Sequence, residues 1–142
     1  MEVKFEMKSL FTPKEVTSVI DVSYRQLQYW DRSQFIPPTM RKGRRKTRVF
    51  TFKDLVLLET AVKLRNRGHS VQSLRKIIER LKSLLEELSF PLLDVTIMLH
   101  GEDILLFSGK VSSNLSPEDY TLLSVKELRE KVDKTLQDHA AA

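Results

Sequence analysis

With 142 residues, 41% of them hydrophobic, and no cysteine, the chain can build one compact domain or a small domain with an appendage, and it excludes disulfides, thiolate metal sites and cysteine nucleophiles. The formal charge of +5 is unevenly spread: residues 1–82 hold 19 Lys and Arg against 8 Asp and Glu, and residues 83–142 hold 5 against 11. A polyanion is drawn to one end and repelled from the other. No apolar run approaches the ~18 residues of a membrane span, and Met1-Glu2-Val3-Lys4 begins no signal peptide, so a cytoplasmic protein without a membrane partner is expected.

Thr12-Pro13-Lys14-Glu15 offers a hydroxyl N-cap, proline at the first helical position and a carboxylate three residues on, which predicts a helix to about Val19. Ser23-Tyr24-Arg25-Gln26 repeats the capping box, with Gln26 in the place of the carboxylate, and opens a second helix toward Arg32. Two short helices joined through Asp21 and Val22 make a helix-turn-helix candidate. In the second helix Leu27 and Trp30 point one way, toward Val16, Val19 and Ile20, while Arg25, Gln28, Tyr29 and Arg32 cluster within roughly a third of a turn on the other side.

Pro37-Pro38 cannot continue a helix. Thr39 to Arg41 and Arg48 to Phe50 then flank a basic turn as short strands, a two-stranded wing with Gly43 available for a positive φ. Arg41, Lys42, Arg44, Arg45, Lys46 and Arg48 put six cations into the eight residues 41–48, and a loop so charged gains by displacing counterions condensed on a duplex. Thr51 caps a third helix that Gly68 closes after Arg65 and Arg67. Ser70 opens a fourth, with Val71, Leu74, Ile77, Ile78, Leu81, Leu84, Leu85 and Leu88 at three- and four-residue spacing up to Pro91; this stripe is expected to be core at its start and partner-facing toward its end.

From Leu92 the pattern changes. Leu92 to Leu99 and Ile104 to Phe107 read as a β-hairpin around His100-Gly101-Glu102-Asp103, and Asp119 to Leu123 offers a further strand. Ser124-Val125-Lys126-Glu127 is another capping box, which predicts a terminal helix from Val125 to about Gln137. The fold class is therefore mainly α, a winged helix-turn-helix with a small C-terminal α+β appendage of hairpin plus helix. The expected units are residues 10–88, a candidate DNA-binding domain, and 92–138, a dimerisation or effector-like module, with the junction near Ser89 to Leu92.

Three signatures in order along residues 10–81 resemble the DNA-binding domain of the MerR family of bacterial transcription regulators: Arg25-Gln26-Leu27-Gln28-Tyr29-Trp30; Ile36-Pro37-Pro38 followed by the basic wing and Arg48-Val49-Phe50-Thr51-Phe52-Lys53-Asp54-Leu55; and Leu64-Arg65-Asn66-Arg67-Gly68-His69-Ser70-Val71-Gln72-Ser73-Leu74-Arg75. The resemblance implies a nucleoid-associated homodimer on double-stranded promoter DNA, with the second helix of each subunit in a major groove, wings on the flanking backbone, and RNA polymerase as a further partner at the promoter. The expected DNA-contacting residues are Tyr24, Arg25, Gln28, Tyr29, Arg32, Arg41, Lys42, Arg44, Arg45, Lys46 and Arg48. Gln28 stands where the family carries Arg, and Gln can bond adenine bidentately, so a changed base preference is expected there. Pro91 ends the chain's candidate coil after one helix, so the family's long antiparallel dimer helix is replaced by the hairpin and helix. A dimer contact is expected instead from the Leu81-Leu84-Leu85-Leu88 stripe or from the hairpin.

Other chemistry finds no footing in the sequence. His69, His100 and His139 have no partner at metal-ligand spacing and read as surface or structural residues. Glu102-Asp103 and Glu118-Asp119 are adjacent acids in turns without the cleft a catalytic carboxylate needs. No enzyme activity, cofactor or metal is expected. Two alternatives stay open: an excisionase-like or architectural DNA-binding protein, and a protein-interaction module acting through the acidic C-terminal part.

Overall fold

The computed structural model describes residues 8–89, 91–109 and 120–141, with side chains through Asp138. The N-terminal part runs β1 (Leu10–Phe11), α1 (Pro13–Val19), α2 (Tyr24–Arg32), β2 (Met40–Lys42), β3 (Thr47–Thr51), α3 (Phe52–Asn66) and α4 (Val71–Glu86). After a 3-10 turn at Leu92–Asp94 follow β4 (Val95–His100), β5 (Asp103–Ser108), β6 (Thr121–Ser124) and α5 (Val125–Ala141).

Each helix begins where its capping residues place it. The Thr12 hydroxyl accepts from the Glu15 amide at 3.2 Å while the Glu15 carboxylate accepts from the Thr12 amide at 3.0 Å, so two orphan donors of the first turn are satisfied reciprocally. Thr51 and Asp54 make the same box at the head of α3. Ser23 caps α2 and Ser70 caps α4 through one hydroxyl each. The second half of the predicted box on α2 does not form: Gln26 Oε1 instead accepts from Arg65 Nη1, because a guanidinium from α3 is a stronger donor than the amide the side chain would otherwise reach. Helix α3 closes as expected, with Gly68 at φ +89, its amide on the Arg65 carbonyl and the His69 amide on the Leu64 carbonyl, the Schellman pattern. Helix α5 runs on to Ala141, past the expected end at Gln137.

Two small antiparallel sheets organise the strands, in the orders β1-β3-β2 and β5-β4-β6. The wing of β2 and β3 is as predicted, but β3 also carries β1 on its other side, with Phe11 opposite Phe50. The C-terminal hairpin closes through Gly101 and Glu102, with His100 opposite Asp103. It is extended by β6, which aligns Leu123 with Ile97; Asp119, expected in that strand, and Glu118 lie outside the described residues.

One continuous apolar cluster holds residues of both parts, from Phe11, Val16, Leu27 and Phe50 to Ile97, Leu123, Leu128 and Val132. Along α4 the sequence expectation needs a correction. Leu81 and Leu85 are buried against the chain's own core, because α4 packs on α3 and β5; Leu84 and Leu88 are left half-exposed, and Val71, at the start of the stripe, is 68% exposed.

Candidate nucleic-acid interface

Helix α2 separates its faces as its sequence dictates. Leu27 and Trp30 are buried, whereas Tyr24 is 52% and Tyr29 58% exposed. Arg25 and Arg32 are exposed and Gln28 is half-exposed. Two aromatic rings kept in solvent beside two guanidinium groups are not explained by the core, and they lie on the exposed face of a helix, an element that a major groove admits.

The C-terminal end of α2 is shaped by an uncommon backbone feature. Gln34 adopts φ +59, its amide donates to the Asp31 carbonyl at 3.0 Å, and the Phe35 amide donates to the Trp30 carbonyl at 3.0 Å. This is again the Schellman pattern, and its hydrophobic contact is the edge-to-face pair of Trp30 and Phe35, with ring centroids 5.2 Å apart. Arg75 of α4 lies over Phe35 at 5.5 Å and reaches the Ser33 carbonyl at 3.4 Å. From the other end, Arg65 joins Gln26 and the Asp21 carbonyl. Arg65 and Arg75 of the third signature therefore hold α2 at both ends.

Asp31 fixes the wing to this helix. Its carboxylate is 4% exposed and accepts from Arg41 Nη2 at 2.6 Å and from Arg48 Nε at 2.5 Å, one cation from each wing strand. Burial raises the Asp31 carboxyl, but the hydrogen bonds and charges of Arg48 and Arg41 outweigh it and hold the group below the usual carboxylate range. Asp54 makes a second anchor: its oxygens accept from the Thr39 amide at 2.9 Å, the Thr39 hydroxyl at 2.7 Å and the Thr51 amide at 3.0 Å. The wing base is thus pinned to the end of α2 and to the start of α3.

The wing tip is different. Lys42, Arg44, Arg45 and Lys46 are exposed, and none has an ion pair among the described residues. Gly43 and Lys46 take positive φ values of +75 and +50, and the Lys46 amide closes the turn on the Gly43 carbonyl at 3.2 Å. Of the expected contact residues, the structure thus gathers Tyr24, Arg25, Gln28, Tyr29 and Arg32 on the open face of α2, puts four cations at the tip, and gives Arg41 and Arg48 a carboxylate partner. The sequence reading missed Asp31 and Asp54. One signal was available: an aspartate in the last turn of a helix opposes the helix dipole, which favours a cationic partner nearby.

Of the histidines, His69 Nδ1 lies 3.1 Å from Ser73 Oγ, His100 is exposed at the end of β4, and the side chain of His139 lies outside the described residues. No helix among the described residues is long and apolar enough to cross a membrane.

The sequence pattern of the MerR HTH family of regulatory proteins matches residues 11–81. Over 66 residues, 45% of the chain, the sequence is 30% identical to an uncharacterized HTH-type transcriptional regulator of Mycobacterium bovis, and equally to counterparts in two strains of Mycobacterium tuberculosis. The matched stretch spans 29% of the length of those relatives.

Proposed function

The chain belongs to the MerR HTH family of transcription regulators, and from that premise we propose that it is a sequence-specific reader of double-stranded promoter DNA that acts as a homodimer. The observation that carries the proposal is the Asp31 clamp, since it holds an exposed reading face and a cationic tip in one fixed relation. A groove-reading helix and a backbone-gripping loop bind together at lower ordering cost when their spacing is set before binding.

In this reading Arg25, Gln28, Tyr29 and Tyr24 select bases, Arg32 and the tip residues Lys42, Arg44, Arg45 and Lys46 neutralise phosphates, and Arg41 and Arg48 divide their donors between Asp31 and the adjoining backbone. Residues 10–88 are the DNA-binding unit and 92–138 the dimerisation or effector-like module, with RNA polymerase as a second partner at the promoter. Selection of sites from random duplexes at near-physiological salt tests the reading. An enriched inverted repeat is the expected result. Salt-sensitive binding without enrichment would point to an architectural role, and no binding at all to a protein partner.

A further inference from the structure

We propose that the free edge of β5 is a self-pairing surface on which a second copy of this chain extends the C-terminal sheet, joining two three-stranded sheets into one of six. The proposal rests on the dimeric reading of the protein and names the surface that makes the dimer. β5 is the outer strand in the order β5-β4-β6, and no described strand lies on its other side. Edge strands are commonly guarded by lysine, proline or a bulge. Asp103-Ile104-Leu105-Leu106-Phe107-Ser108 has neither residue, and its register with β4 runs from His100–Asp103 to Val95–Ser108 without interruption.

The direction of the free backbone groups follows from that register. A two-residue turn makes His100 and Asp103 the closing hydrogen-bonded pair, after which bonded and non-bonded pairs alternate. Donation by the Gly109 amide to the Asp94 carbonyl at 3.3 Å keeps the same alternation at the far end. Asp103, Leu105 and Phe107 therefore turn their amides and carbonyls toward β4, and Ile104, Leu106 and Ser108 turn theirs outward. A two-fold axis normal to the sheet at Leu106 satisfies all three, setting Leu106 against the partner's Leu106 and Ile104 against the partner's Ser108.

The same axis places Leu105 opposite the partner's Phe107 on the outer face, a non-hydrogen-bonded pair with Cβ atoms roughly 4.5–5.5 Å apart. Surplus apolar surface lies there: Leu105 is 56% exposed, Phe107 is half-buried, and Met98 and Leu122 continue the row in register. Asp103 falls beyond the overlap, opposite the partner's Gly109, so like charges do not meet. This self-complementarity favours a second copy over a foreign strand. A specific interface needs roughly 1,000 Å² in total, more than a short strand edge supplies, and α4 continues the surface. Arg80 donates to the Glu102 carbonyl at 2.8 Å, which sets that flank of α4 beside the hairpin, and the half-exposed Leu84 lies one turn further on the same flank.

The chain has no cysteine, so the double variant Leu105→Cys with Phe107→Cys carries the only thiols. Sedimentation of the full chain should show a dimer. Mild oxidation should link the double variant covalently, and either single variant far less. Leu105→Lys and Ser108→Pro should each weaken the dimer at least about tenfold, because one sets a charge against the partner's Phe107 and the other removes an outward amide. Leu105 is a surface position, so its variant keeps the test decisive should Ser108→Pro fold poorly. A monomer at every concentration overturns the proposal, as does a dimer indifferent to both substitutions or resistant to the cross-link. Site selection run on the same proteins separates the two readings: an inverted repeat bound by a dimer that ignores β5 removes the interface and keeps DNA reading, and a β5 dimer without sequence preference does the reverse.

Discussion

At the scale of single residues, the reading face and the wing tip should fail differently. Arg25→Ala removes a fork of donors from the exposed face of α2; discrimination at one base pair should fall by about 1–3 kcal/mol while binding to unrelated duplexes changes little. Arg44→Ala or Arg45→Ala should weaken all duplexes alike and flatten the slope of log affinity against log salt by about 0.9 for each phosphate no longer neutralised. Binding isotherms over a salt series on preferred and scrambled sites measure both, and identical behaviour of the two classes would sink the division of labour. Asp31 belongs to neither class. Its partners are partly solvated, with Arg48 23% and Arg41 38% exposed, so Asp31→Ala should cost about 1–3 kcal/mol, less than a fully buried pair. Because the folded carboxyl is held below its ordinary value, its contribution is complete above pH ~4 and is lost as pH falls further, through the depressed folded value. Thermal melts from pH 6 downward should therefore show a shallower acid-side decline for Asp31→Asn than for the native chain.

Among the elements, those whose causes are local were legible in the sequence. Thr12 with Glu15, Thr51, Ser70 and Gly68 announce helix ends through groups within four residues of one another, and the structure keeps every one of those ends. Gly68→Ala tests one of these features. No atom would meet the added Cβ within 4 Å, so the cost is that of the left-handed backbone, about 1–2 kcal/mol, and denaturant unfolding should report it with base preference unchanged. What stayed illegible depends on distant partners. β1 is a pair of residues, Leu10 and Phe11, made a strand by β3 far along the chain. Gln26 has the spacing of a capping residue and is diverted by Arg65, 39 positions away. Leu81 and Leu85 carry the same periodicity as Leu84 and Leu88, and only the placement of β5 and α3 separates core from surface. Periodicity gives the face of a helix and is silent about how much of that face a neighbour covers.

At the scale of the molecule, the C-terminal part packs on the elements that carry the wing, so the two parts share one core. Helix α5 packs on α1, Lys131 pairs with Glu59 of α3 at 3.3 Å, and Lys63 of α3 donates to the Leu122 carbonyl at 3.3 Å. The most telling link is Arg129. Its side chain is 7% exposed, with Nη2 2.9 Å from Asp133 Oδ1, off hydrogen-bond alignment, and its guanidinium stands 5.0 Å from the ring centre of Phe52 and 6.0 Å from that of Phe11. Those rings belong to the head of α3 and to the strand that backs the wing, so a cation from the last helix underlies the platform from which the wing projects. Removing it by Arg129→Ala leaves both a cavity and two aromatic faces without their cation, a loss of about 2–3 kcal/mol, which on a chain of this size lowers the melting temperature by on the order of 5–10 °C. Trp30 is the sole tryptophan and reports only on the N-terminal part, whereas far-UV dichroism sums both. If the shared core makes the chain one cooperative unit, the two signals melt together in the native protein and fall together in the variant. Should dichroism lose amplitude first while Trp30 fluorescence holds, residues 92–138 would be an independent unit, and coupling through Arg129 would be absent.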